Sequence, residues 1–193
     1  MNIFVLHLNP AIAAQMHCDQ HVVKMIIESA QLLYTCCLLC GIVGHDIDEL
    51  IMTAPVTAKG SHGYRPTHRN HPCTKWLSES VENYKWLITM TKELCNEYTR
   101  RYGKIHATEQ HIDWLSCVCP KIPEIPQTPF AIVMPNEYKC NGPVDDKDDL
   151  DQDSDSKYDP VTSYRKYYCK IKTFARWSKT DTPLWYTSDS LVD

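Results

Sequence analysis

Six polar side chains fall on one side of the first long apolar segment. At about 100° per residue, His17, His21, Lys24, Glu28, Gln31 and Thr35 share an arc of about 80° if that segment is helical. Cys18, Met25, Ile27 and Leu32 flank the stripe, so it is narrow and walled by apolar surface. A solvated face usually carries several Lys and Glu. Two histidines, one lysine and one carboxylate instead form a set able to donate, accept and bind anions. Glu28 is therefore a candidate acid or base, with His21, Lys24 and His17 as candidates to position it or stabilise charge. The wet face of an amphipathic helix remains the plain alternative. His17 and His21 could also share a metal, but Cys18 stands where the zinc-protease motif places its Glu, and neither a metal nor a cofactor is expected.

Two further clusters are cationic. Arg65, His68, Arg69, His71 and Lys75 concentrate positive potential around the start of a predicted helix, where free amides and the helix dipole already favour a phosphate. Asn70 or His71 can equally serve as that helix's cap. Between Ser163 and Trp177, Arg165, Lys166, Lys170, Lys172 and Arg176 alternate with Tyr164, Tyr167, Tyr168, Phe174 and Trp177. Cations neutralise phosphates and aromatic faces stack on exposed bases, so Arg165, Lys166, Tyr167, Tyr168 and Lys170 are candidate nucleic-acid contacts. Core packing of the same aromatics is compatible with that role.

The elements that must position these residues read as helices. Asn9 and Pro10 suit a cap and first turn, and the apolar pattern runs to Cys40 before Gly41, either unbroken or restarting with Asp19 as a second cap. Residues 44–52 suit a short helix, 53–70 a surface loop, and 72–102 a long helix closed by Arg100, Arg101 and Gly103. A shorter helix is expected over 107–118 and a last one over 161–177. Prolines at 120, 123, 126 and 129 impose an extended crossing between them.

The chain has 193 residues, 43% of them hydrophobic and 23% charged, which excludes fibrous and wholly disordered classes. Its net charge of −4 conceals a segment of eight aspartates and two lysines at 145–159; without that −6 the remainder is +2 and suited to a polyanion. The expected architecture is all-α: one helical domain over 1–193 with long loops, a flexible acidic insertion at 141–160 and a tail from 178. Ten cysteines without a leader segment or a run of membrane-spanning length imply an intracellular, reduced protein. Cys36, Cys37, Cys95 and Cys169 are expected to pack as small hydrophobes.

Three patches resemble the phage pyrimidine-dimer DNA glycosylase/AP lyases, the endonuclease V type of ultraviolet repair enzyme. They are Asp19-Gln20-His21 with Glu28 seven residues on, Glu93-Leu94 with Glu97 and Arg101, and the run from Tyr164 to Lys170. The opening Met1 to Leu6, the stretch His17 to Glu28 and the stretch Asn70 to Trp76 are also similar to a group of small proteins of phages and large DNA viruses. The resemblance implies a glycosylase-like helical fold, duplex DNA with a flipped or damaged pyrimidine as partner, no membrane, and the cytoplasm or nucleus of an infected cell as the setting. It also implies that an N-terminal α-amine attacks the sugar C1′ while the helix Glu assists cleavage and elimination. Asn2 is bulky, so Met1 is expected to remain, where the family exposes a new amine. The family's Arg pair beside the Glu is likewise replaced, with only Lys24 cationic.

The function that these readings favour is DNA-base processing by N-glycosidic cleavage or related chemistry at Glu28. A non-catalytic nucleic-acid-binding module and a His/Glu metal enzyme are the alternatives.

Overall fold

Asn9 adopts an extended conformation, and its side chain accepts from the amides of Ala11 and Ile12, which starts α1 (Pro10–Gln15). The apolar segment then breaks and restarts as α2 (Asp19–Cys40), the second of the two arrangements left open by the sequence. Cys18, not Asp19, holds the cap position, and it makes no side-chain capping bond. The helix start is fastened from elsewhere: the Asp19 amide donates to Arg176 O, and the Cys18 amide donates to the Tyr168 hydroxyl. Gly41, at φ +75°, ends the helix.

A computed structural model describes residues 1–142 and 157–186. After α2 come α3 (Ile47–Ile51), α4 (Pro72–Glu79), α5 (Val81–Tyr102), α6 (Glu109–Ser116) and α7 (Pro160–Ile171), with one antiparallel pair, β1 (Cys140–Asn141) and β2 (Tyr158–Asp159). The protein is mostly helical, as the sequence predicts. The long helix expected over 72–102 is divided at Ser80, whose hydroxyl donates to Ile125 O and accepts from the Glu82 amide. Those two bonds hold Ser80 extended, at φ −153° and ψ 140°, and make it the cap of α5.

The core forms where α5 packs on α1, α2, α4 and α6. Ile3, Phe4, Val5 and Leu6 thread through it fully buried, so the N-terminal residues are an internal strut. The second half of α2 is buried nearly all round, which explains its apolar composition. The expectation that no run reaches membrane-spanning length is corrected here: α2 has 22 residues and contains an 18-residue window of mean hydropathy 1.5, 61% of which is buried inside the protein. Cys36, Cys37, Cys95 and Cys169 pack inside as expected.

The acidic insertion expected at 141–160 has its ends paired in β1 and β2, while 143–156 lie outside the described residues. The expected tail is also anchored. Trp185 and Tyr186 pack on the core, and 187–193 lie outside the described residues.

Candidate active site

Glu28 is the tenth of the 22 residues of α2, on the face turned toward the N-terminal strut. Its carboxylate is 16% exposed and lies between two amines: Lys24 Nζ at 3.3 Å from Oε1 and the α-ammonium of Met1 at 4.0 Å from Oε2. Lys24 reaches it as an i,i+4 helix partner. Met1 is held by its neighbour. Asn2 donates to Val133 O, and its side-chain oxygen accepts from the Tyr164 hydroxyl and the Ile3 amide. These bonds fix the first peptide against α7 and the 130–134 segment.

A cavity of about 280 Å³ opens over this carboxylate. His21, Lys24 and Glu28 come from α2, Met1 and Phe4 from the strut, and Tyr167 and Lys172 from α7 and its end. His21 is stacked on Phe4, with ring centroids 4.7 Å apart, and its Nδ1 lies 2.6 Å from the Tyr168 hydroxyl. Burial pushes the His21 pKa down to about 3, assisted by His17, Lys172 and Lys24. The imidazole is therefore neutral at physiological pH. Lys172 lies over the rings of Phe4 and Tyr167, and burial, then Lys24, lowers its pKa.

His17 does not line this cavity. It precedes α2, is fully buried, and bonds Ala13 O through Nδ1, leaving Nε2 without a partner. Burial lowers its pKa to about 4. Because the chain breaks before Asp19, the stripe read from a continuous helix loses its first member. Its last member, Thr35, is buried and bonded to Gln31 O and Thr67 O. Among the described residues no three of His, Cys, Asp and Glu gather as a ligand set.

His71 caps α4, its Nδ1 accepting from the Cys73 amide. Its pKa is lowered by burial first and then by the Met1 ammonium and His68, while Glu28 acts the other way; this places it beside the same site. Arg65, His68, Arg69 and Lys75 are exposed around that helix start. Arg69 and Lys75 also line a neighbouring depression of about 300 Å³ with Asn70, Thr74, Ser78 and Glu79.

The aromatic and basic run divides. Tyr168 is fully buried, so it presents no face to a base, and its hydroxyl instead serves His21 and Cys18. Arg165 also turns inward, donating to Leu6 O and lying over Trp185. Lys166 is exposed with its ammonium on Glu137 O, Lys170 is half-exposed, and Tyr167 lines the cavity. Both inward turns follow from helical phase: α7 must bury one side against the strut, and Tyr164 and Tyr168 are that side.

Arg101 provides the deep support. Its guanidinium is fully buried and bonds the Glu97 and Asp19 carboxylates and the carbonyls of Gln15 and His17. Asp19 additionally accepts from the Ser178 amide and hydroxyl. The network ties the start of α2, and hence Glu28, to α5 and to the C-terminal segment.

A family model described as pyrimidine dimer DNA glycosylase matches residues 1–110, which carry α1 to α5 and the carboxylate with its two amines. The chain belongs to the pyrimidine dimer DNA glycosylase family. Membership implies DNA as the substrate and a place in DNA repair. No curated protein and no solved structure matches the chain.

Proposed function

We propose that the protein cleaves the N-glycosidic bond of a damaged pyrimidine nucleotide, with Glu28 as the acid/base and the Met1 α-amine as the nucleophile. The observation that carries this reading is the α-amine 4.0 Å from a half-enclosed carboxylate at the floor of a cavity. An α-amine ordinarily titrates near pH ~8, so a useful fraction is neutral at physiological pH. Glu28 accepts the ammonium proton, and the freed lone pair attacks C1′. The base departs with the glycosidic electron pair and takes that proton from Glu28; Glu28 then carries the proton left on the attached amine to O4′ as the C1′–O4′ bond breaks, so the opened sugar is held as an imine and Glu28 is again a carboxylate. Glu28 then removes a proton from C2′, the 3′ phosphate leaves, and water releases the amine.

The expected retention of Met1 suits this reading, in which Met1 itself, not a residue exposed behind it, stands beside the carboxylate. Asn2 serves as an anchor rather than a new terminus.

His21 supports the reaction as a neutral donor. We assign the Tyr168 hydroxyl as the donor to His21 Nδ1, which puts the histidine's own proton on Nε2. Among the described residues that proton meets no hydrogen-bond partner, and His21 lines the cavity, where a base or sugar oxygen can take it.

Glu28→Gln tests the assignment. The variant is expected to lose at least a thousandfold in strand cleavage of ultraviolet-irradiated duplex, a loss typical of a removed acid/base acting in more than one step, and to bind that duplex as the wild type does. Equal loss of binding and turnover would reject the catalytic role.

A further inference from the structure

The cavity over Glu28 holds three ammonium groups and one carboxylate. Glu28 is matched by two of them, Met1 and Lys24. Lys172 is the third, and among the described residues its ammonium makes no ion pair and no side-chain hydrogen bond. It is held in place by apolar matter: its Nζ lies 5.4 Å from the centre of the Phe4 ring and 5.0 Å from that of Tyr167. Two aromatic faces compensate in part for lost water, but they bring no counter-charge. The same burial lowers the group's pKa.

A half-buried cation fixed at a cavity wall without an anion is arranged to receive one. The aliphatic stem is also constrained, because Lys172 follows directly on Ile171 at the end of α7 and its carbonyl accepts from the Ala175 amide. We propose that Lys172 binds a phosphodiester flanking the nucleotide that occupies this cavity, and so sets where C1′ lies relative to Met1 and Glu28. The proposal rests on the DNA-glycosylase reading above. A phosphodiester brings a negative charge beside its sugar, and of the three ammonium groups Lys172 is the one with no carboxylate in ion-pair range among the described residues.

The test uses the full chain and a duplex carrying one tetrahydrofuran abasic analogue. The phosphates on either side of the analogue are native or are replaced singly by a neutral methylphosphonate. Lys172→Met keeps the stem between the two rings and removes the charge, and Lys172→Arg keeps the charge. Wild-type affinity is expected to fall about tenfold with one of the two methylphosphonates. K172M is expected to fall about tenfold on native DNA, to ignore that same methylphosphonate, and to lose about 0.9 from the slope of log affinity against log salt. K172R restores most of the affinity, which separates loss of charge from misfolding. If K172M binds native DNA as the wild type does, or if its loss multiplies with both methylphosphonate losses, Lys172 has no phosphate partner. If the wild type does not prefer the abasic analogue to unmodified duplex, the glycosylase reading itself fails and takes this assignment with it.

Discussion

Glu28 is legible as a candidate from residue type alone, because a single carboxylate among histidines and lysine is unlike a solvated face. Lys24, four residues earlier on the same helix, is legible too. Met1 and Lys172 are not: they come to the same cavity from segments far apart in the chain, and no spacing rule connects residues 1, 28 and 172. The histidines are legible by type but not by environment. Burial holds His17 near 4 and His21 near 3, and it lowers His71, His106 and His111 as well. A depressed folded-state pKa means that the unfolded chain binds more protons below about pH 6.5, so these groups stabilise the fold above that value and the contribution is lost as pH falls. Unfolding free energy from urea titrations is expected to drop between pH 6.5 and 5. His17→Gln, less stable throughout, should show a slope shallower by about 1.4 kcal/mol per pH unit at the acid end of that window. An unchanged slope would mean that His17 is not held neutral.

At the scale of elements, caps and breakers were informative. Asn9-Pro10 starts α1, Gly41 ends α2 and Gly103, at φ +64°, ends α5. The break before Asp19 was left undecided by the sequence and the one at Ser80 was invisible, for one shared reason: residues 16–18 and Ser80 are shaped by long-range bonds, to Arg101 and the C-terminal segment in one case and to Ile125 in the other. The Arg101 network ties the start of α2 to α5 and, through Asp19, to the C-terminal segment. Arg101→Met removes a fully buried guanidinium and leaves the Glu97 and Asp19 carboxylates and two carbonyls short of a donor. Its expected cost is about 3 to 5 kcal/mol of unfolding free energy, read from urea midpoints. A cost below about 1 kcal/mol would show that α2 is oriented by apolar packing alone. The periodicity of the aromatic run of α7 also contains the core face of Tyr164 and Tyr168; of the five candidate nucleic-acid contacts read there, Lys166, Tyr167 and Lys170 keep their side chains toward solvent or the cavity.

At the scale of the whole molecule, the ammonium groups of Met1, Lys24 and Lys172 meet at one cavity. The N-terminal strut, the first half of α2 and the end of α7 meet around one carboxylate, and the exposed Arg65, Arg69 and Lys75 stand by the α4 start that His71 caps. All-α class and the rough order of helices followed from pattern. The convergence did not, because it depends on a strut of four buried residues too short to carry a periodic signal. The most direct measurement is chemical trapping on this assembled site. Wild-type protein incubated with a duplex containing one cyclobutane pyrimidine dimer and sodium borohydride is expected to form a stable protein–DNA adduct, and peptide mass spectrometry is expected to locate the sugar on the α-nitrogen of Met1. No adduct under conditions where strands are cut, or an adduct on the side chain of Lys24 or Lys172, would contradict the account.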